Sequence, residues 1–370
     1  MRVGMVIYGS LQTLTGGYLY DRKLAEHLSA HGDDVDVISL PWRNYGRHLC
    51  DNVSPSLARR MDRGQFDVLV QDELNHPSLV LTNRRLKNRS RCPIVAIVHV
   101  LRASEHDQSP LRPLFAATER RYLAGVDAGV FCCQATRTAA EELVGKPLAG
   151  VVVHPACDHL GGEALESEVL TPARATRPLR VISVANVVPR KGLHVLIESL
   201  ARLAPEHWQL TVVGSLTMDE GYVRRVRHLI DDAGVSHNVD LVGAVSNPEV
   251  AGFLARSDVL VVPSSYEGLA IAYLEAMRFG LPVIATTAGG AREVIEHGRE
   301  GWLVAPGDVD SLTTHLQSLL GDRHLLRRMG SAARRRAERH PGWDESLGRA
   351  RAFLRSVVYN HRPLEGDMAS

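Results

Sequence analysis

Aromatic side chains are scarce in this chain, 5% of 370 residues, which argues against a carbohydrate-binding platform of stacked rings along its length. Net charge is nearly absent as well. Against 43 Lys and Arg stand 42 Asp and Glu, a formal +1, so no global field gathers nucleic acid and any attraction to phosphate must come from local arrangement. Cysteine is sparse and irregular. Cys50, Cys92, Cys132, Cys133 and Cys157 form an odd set without framework spacing, and they read as reduced thiols and small core residues of a cytosolic protein. Long apolar runs are missing. The stretch from Met1 to Tyr8 is too short for the apolar region of a signal peptide, and nothing approaches the ~20 residues that span a bilayer. The expectation is a cytoplasmic protein that is not integral to a membrane.

What the chain does have is alternation. At roughly 150 residues per domain its length suggests two domains, and two domains imply a cleft. Short β-branched runs alternate with longer amphipathic stretches, the pattern of an α/β protein with parallel sheets covered by helices. Val3–Ile7, Val35–Ile38, Asp67–Val70, Ile94–Val98, Gly129–Cys132 and Val151–Val153 read as strands of a first unit. A segment without strand signal follows, rich in Glu and Ala and punctuated by Gly161-Gly162, Thr171-Pro172 and Arg177-Pro178; it reads as a linker. The pattern restarts with Arg180–Val184, Leu210–Val213, Val239–Val242, Val259–Val262 and Pro282–Ala285. The resulting division is a first domain over residues 1–162, a linker over 163–178, a second domain over 179–342 and a terminal helix and tail over 343–370. Between Ser311 and Tyr359 the helical pattern should break at His340-Pro341-Gly342-Trp343, where proline cannot continue a helix.

The most specific segment runs Pro263-Ser264-Ser265-Tyr266-Glu267-Gly268-Leu269-Ala270 and on through Glu275 to Met277. It follows a strand and opens a helix. Gly268 permits close backbone approach, and the amides of Leu269 and Ala270 at a helix start favour an anion such as a diphosphate. Glu267 precedes the helix and Glu275 lies about two turns on, so the two carboxylates can border one groove while reaching different parts of a ligand. A second constellation, Asn186-Val187-Val188-Pro189-Arg190-Lys191-Gly192, also joins a strand to a helix. A bare cation near a helix start is unfavourable, and a phosphate nearby would account for Lys191. Near the amino terminus, Thr13-Leu14-Thr15-Gly16-Gly17-Tyr18 is not the GxGxxG fingerprint, which disfavours a dinucleotide oxidoreductase. His99 ends the strand Ile94–Val98, where open α/β sheets place ligand contacts. Asp72, Glu73 and His76 follow another strand end and are candidates to face a second substrate. His154 to His159 holds metal-binding residue types, but the spacing is crowded and no second ligand pair appears elsewhere, so no metal is expected.

These segments together resemble the family-4 retaining glycosyltransferases, glycosyltransferase group 1. The resemblance covers most of the chain. It rests on Glu267, seven residues and Glu275, and continues through Gly280-Leu281-Pro282-Val283-Ile284-Ala285, Gly289-Gly290, Glu293, Gly298, Gly301 and Pro306-Gly307-Asp308. It implies the GT-B fold, two Rossmann-like domains with parallel sheets facing a central cleft, the final helix crossing back to the first domain. It implies that Glu267 contacts donor-sugar hydroxyls near the reacting carbon and that Glu275 holds the nucleotide ribose. Lys191 falls on a diphosphate-binding Lys, Gly16 and Gly17 on a turn approaching donor phosphate and acceptor, and His99 on a residue facing the donor sugar. One departure stands out. Asn186 occupies a position where the family has Arg, and Arg190 is the nearest candidate to compensate.

The activity so implied is transfer of a sugar from a nucleotide-diphosphate donor to a hydroxyl acceptor, with retention and without a metal or other cofactor. A UDP-sugar is the donor expected from base rates. A phosphorylase, a nucleotide-sugar epimerase or a catalytically silent nucleotide-sugar binder are the alternatives. Arg84, Arg85, Lys87, Arg89 and Arg91 crowd one stretch without an intervening acid. They read either as a solvated helix end or as a patch for peripheral contact with anionic lipid at the inner membrane face.

Overall fold

The computed structural model describes residues 1–54, 57, 59–61, 66–88, 92–105, 110–160 and 177–361. They form two compact units. Met1–Pro155 belongs to the first together with the helix Trp343–His361, and Ala156–Gly342 makes up the second. The segment expected as a linker lies outside the described residues up to position 176.

In the first unit, β1 (Arg2–Tyr8), β2 (Asp34–Leu40), β3 (Val68–Asp72), β4 (Ile94–Val98), β5 (Ala128–Phe131) and β6 (Gly150–Val152) form one parallel sheet in the order β2-β1-β3-β4-β5-β6. Burial explains the composition of its strands. Every residue of β3 and β4 is buried, as expected of central strands covered on both faces, whereas β2 at the edge alternates exposed and covered positions. A core of Val6, Ile38, Leu69, Leu79, Ile94, Val98, Tyr122 and Phe131 packs one face of the sheet against helices.

The second unit repeats the plan with β7 (Leu179–Val184), β8 (Trp208–Val213), β9 (Val239–Gly243), β10 (Val259–Val262), β11 (Val283–Thr286) and β12 (Gly301–Val304) in the order β12-β11-β10-β7-β8-β9, again all parallel. Trp208 is fully buried in its core. Strand β12 has no counterpart among the runs read from sequence. It is short and led by glycine, and that glycine is required: a Cβ on Gly301 would lie 1.8 Å from the Val283 carbonyl oxygen. On either side of Pro341-Gly342 one helix ends at Glu338 and the next begins at Trp343.

Both strand orders contain a point where consecutive connections leave in opposite directions: between β1 and β3 in the first sheet, between β7 and β10 in the second. At such a switch the loops leaving the carboxyl ends of the two strands diverge and leave a crevice, the usual place for a ligand in an open α/β sheet. Cys132, Cys133 and Cys157 are buried as expected of core residues, but Cys50 is exposed, and all five thiols are unbridged.

Candidate active site

At the β7/β10 switch the two diverging loops are tied together before they part. Ser265 donates its amide to the Arg190 carbonyl at 2.8 Å, and Arg190 Nη1 donates to the Tyr266 carbonyl at 3.0 Å. Gly192, at φ +69°, allows this approach, because a Cβ there would sit 2.1 Å from the Pro263 carbonyl oxygen. The loops bring Lys191, Arg190 and Glu267 together. Glu267 Oε2 accepts from Lys191 Nζ, from Arg190 Nη1 at 3.2 Å and from Ser264 Oγ at 3.3 Å. Only 6% of Glu267 is exposed. Burial alone would push its carboxyl up, but the Lys191 and Arg190 charges outweigh burial and hold it down at about 2. Glu267 is therefore a fixed anion at neutral pH, unsuited to proton transfer. Two cations thus meet at one buried carboxylate.

Glu267 is anchored through its backbone as well. Its amide donates to the Ala288 carbonyl at 3.2 Å and its carbonyl accepts from the Gly290 amide at 3.1 Å. Gly268, Leu269 and Ala270 follow, and the helix Ile271–Arg278 starts with Ala270 as an N-cap that makes no side-chain capping bond. Among the described residues no acceptor meets the amides of Leu269 and Ala270. They stand at the positive end of a helix dipole, directly after Glu267 and its two cations in the chain, and such a group suits an anion.

Glu275 lies inside that helix, 7% exposed, with Oε1 3.0 Å from His159 Nε2. His159 comes from the short 3-10 turn Asp158–Leu160, and nothing in the sequence links it to Glu275, which is more than a hundred residues away. Asn186 is occupied structurally. Its Oδ1 accepts the Ser215 amide at 2.9 Å and joins the loops after β7 and β8, a task an arginine, which has no acceptor, cannot perform.

In the first unit Gly16 and Gly17 are not a turn, as the sequence suggested, but the first residues of the helix Gly16–Ala30. Thr15 caps the helix by accepting from the Tyr18 amide, which starts it earlier than the apolar spacing indicated. A Cβ on Gly17 would come 3.2 Å from His99 Cδ2, so glycine gives the imidazole room. His99 Nε2 lies 3.0 Å from Asp21 Oδ1, and Asp21 is fully buried. Asp72 completes a group whose polar atoms lie within 4.8 Å of one another. Burial opposes charge on His99, yet Asp21 and then Asp72 prevail and raise its pKa. Burial, reinforced by Asp21, pushes the Asp72 carboxyl up to about 7. This cluster sits at the β1/β3 switch and includes an acid, Asp21, that sequence reading did not single out.

Glu73 and His76 do not face a second substrate. They are buried with Glu119, whose carboxylate accepts the amides of Arg102 and Ala103 at 2.7 and 2.9 Å, pinning the loop after β4. Burial pushes Glu73 up to about 8 and His76 down to about 4. These shifts carry signs. His76, depressed, gives stability that is complete above its unfolded value of about 6.5. His99, Asp72 and Glu73, all raised, give stability that is lost as pH climbs through their folded values. The urea midpoint of the first unit should therefore fall between about pH 6.5 and about pH 8, and less steeply in Asp21→Asn, which relaxes both His99 and Asp72. An unchanged slope in the variant would remove Asp21 from the cluster.

The basic stretch is partly consumed by the fold. Lys87 Nζ pairs with Asp127 at 2.6 Å and Arg85 donates to the Asn52 carbonyl at 2.7 Å, while Arg89 and Arg91 lie outside the described residues. No helix among the described residues is long and apolar enough to cross a membrane.

Comparison with known proteins places this geometry. The family model for glycosyl transferases group 1 matches residues 171–336, and that for the glycosyl transferase 4-like domain matches residues 14–157. The chain belongs to the group 1 glycosyltransferases. Among curated relatives, it is 34% identical to the MMP alpha-(1->4)-mannosyltransferase of Mycolicibacterium hassiacum over 214 residues, 57% of this chain and 51% of that protein. It is 29% identical over 255 residues to a GDP-mannose-dependent alpha-(1-6)-phosphatidylinositol monomannoside mannosyltransferase of Mycobacterium tuberculosis, 66% of this chain and 65% of that one. The matches thus span about half to just under two thirds of these relatives. Solved structures agree on the GT-B fold: sucrose-phosphate synthase from Thermosynechococcus elongatus superposes with a TM-score of 0.83 at 20% identity, covering 97% of this chain and 99% of that one. HepE of Anabaena, in complex with UDP and glucose, gives 0.77 at 20% identity over 96% of this chain and 100% of that one.

Proposed function

We propose that this group 1 glycosyltransferase moves a hexose from a nucleotide-diphosphate sugar to a hydroxyl acceptor with retention of configuration and without a metal ion. The observation that carries the reading is the meeting of Lys191 and Arg190 at Glu267, followed by a helix start whose Leu269 and Ala270 amides have no acceptor among the described residues. A departing diphosphate needs such preorganised positive charge, which is worth more in a water-poor site than in solution. Lys191, Arg190 and the two amides take the diphosphate, and Glu267 orients donor-sugar hydroxyls. The leaving oxygen accepts the acceptor's proton, so no protein base or nucleophile is needed, in keeping with a Glu267 that stays ionised. In the first unit His99, held by Asp21, and the glycines Gly16 and Gly17 are assigned to substrate as well. Asn186 adds no charge to the site and supports it through Ser215.

A UDP-sugar is the proposed donor, in line with the UDP bound by HepE, and the GDP-mannose dependence named for the mycobacterial relative makes GDP-mannose the necessary comparison. Thermal shift with a panel of nucleotide sugars tests this directly, because a ligand that binds the folded state alone raises the melting temperature by mass action. Stabilisation by UDP-sugars above all others is expected; a response to none of the panel would overturn the reading. Glu275 is assigned to the ribose. Glu275→Ala should weaken nucleotide binding about 10- to 100-fold, the usual effect of losing hydrogen bonds to a charged group. Unchanged binding by calorimetry would refute that role.

A further inference from the structure

Away from this site, the end of the first helix and the start of the last carry a cluster that glycosyl transfer does not use. His27 and His31 lie one turn apart, their ring centroids separated by 4.0 Å. Asp344, in the first turn of the helix Trp343–His361, places Oδ1 3.2 Å from His27 Nδ1 and 4.0 Å from His31 Nε2. We propose that His27, His31 and Asp344 form a binding site for a divalent transition-metal ion, Zn²⁺ fitting best, that clasps the last helix onto the first.

The argument turns on which atoms carry protons. His31 Nδ1 lies 2.8 Å from the His27 carbonyl oxygen. A carbonyl only accepts, so Nδ1 bears the hydrogen and the Nε2 lone pair of the neutral ring points toward the Asp344 carboxylate. Two acceptors then face each other across 4.0 Å, an arrangement that calls for a cation between them. A backbone carbonyl fixing the tautomer of a histidine is also the outer-shell support that ligating imidazoles characteristically have. At metal–ligand bonds of about 2.0–2.1 Å, a tetrahedral site has ligand–ligand edges of about 3.3–3.4 Å. The 3.2 and 4.0 Å separations bracket that value, and the ligand atoms all lie within 4.8 Å of one another.

Two imidazoles and one carboxylate favour zinc, nickel or copper over magnesium or calcium, which prefer all-oxygen sites. His31 and Asp344 are exposed, their side chains at 43% and 87%, so water can take the fourth position. The surroundings are already fixed. Asp33 accepts from the Met1 amino group at 2.7 Å and from Arg351 Nε at 2.6 Å, and Arg351 Nη2 donates to the His31 carbonyl at 2.9 Å.

The test uses the untagged full chain, titrated with ZnCl₂ by calorimetry and with CoCl₂ by visible absorption. One strong equivalent should bind, cobalt should show the intense bands of four-coordination, and about a hundredfold excess of zinc over its dissociation constant should raise the melting temperature by about 5 °C. His31→Ala and the near-isosteric Asp344→Asn should each lose that equivalent and the thermal shift. Their melting temperatures in EDTA report folding separately. Absence of binding, or zinc binding equal in the parent and both variants, would overturn the site. Neither result bears on the proposed glycosyl transfer, which is assayed apart.

Discussion

A Lys191→Ala enzyme is expected to turn over its donor about 10²- to 10³-fold more slowly than the parent, the usual result of removing one preorganised donor from a developing oxyanion. Charge accounting gives the reason. In the parent, Lys191 and Arg190 both meet the carboxylate of Glu267, so a diphosphate held there would meet two cations. In the variant one of those two cations is gone and Arg190 remains on Glu267. Because Arg190 still pairs with the buried acid, folding should be perturbed far less than turnover. Lys191→Arg keeps the charge but not its point geometry and should recover only part of the rate. Steady-state kinetics with the donor found by thermal shift, alongside melting curves, would check this; near-normal turnover in Lys191→Ala would sink the assignment.

The same cluster governs acid stability. Glu267 has a folded pKa of about 2 against an ordinary value of 4.5. A depressed carboxyl gives stability that is complete above its unfolded value and is lost as pH falls through the folded one. The second unit should therefore lose on the order of 3 kcal/mol between about pH 4.5 and about pH 2 from this group. It follows too that no limb of a pH–rate profile near neutrality belongs to Glu267.

The second unit was the more readable from sequence. Its β-branched strands, the two glutamates and the glycines around them are short-range signals: each reports a strand end, a helix start or a close backbone approach within a few residues. Lys191 could be read for the same reason, standing where a cation at a helix start needs an explanation. What escaped was pairing across distance. Asp21 looks like one more polar residue of an amphipathic helix until the sheet brings His99 beside it, and His159 meets Glu275 through a turn whose residues suggested only a crowded, implausible metal site. Asn186 was read as a lost charge, whereas its carbonyl holds the Ser215 amide. Glu73 and His76 sit at a strand end, as ligand contacts do, yet the polypeptide folds over them and spends them on Glu119 and the loop after β4.

Gly289 offers the strongest test of how Glu267 is held. It sits at φ +102° and ψ −147°, a region essentially reserved for glycine, and a Cβ there would lie 1.7 Å from the Glu267 carbonyl oxygen and 2.8 Å from its carbon. Those atoms are backbone and already bonded to the Gly290 amide, so they have nowhere to go. Gly289→Ala should cost about 4 kcal/mol or more, at the extreme of single substitutions, and should displace Glu267 from Lys191. Gly298 is the matched control. Its φ is +84°, but nothing lies within 4 Å of where a Cβ would be, so Gly298→Ala carries only the left-handed strain of about 1–2 kcal/mol. Urea unfolding of the two variants, followed by the fluorescence of buried Trp208 and Trp302, separates steric from conformational cost. If Gly289→Ala proved no worse than Gly298→Ala, the contact that fixes the Glu267 loop would not exist, and the placement of the carboxylate between its two cations would lose its backbone support.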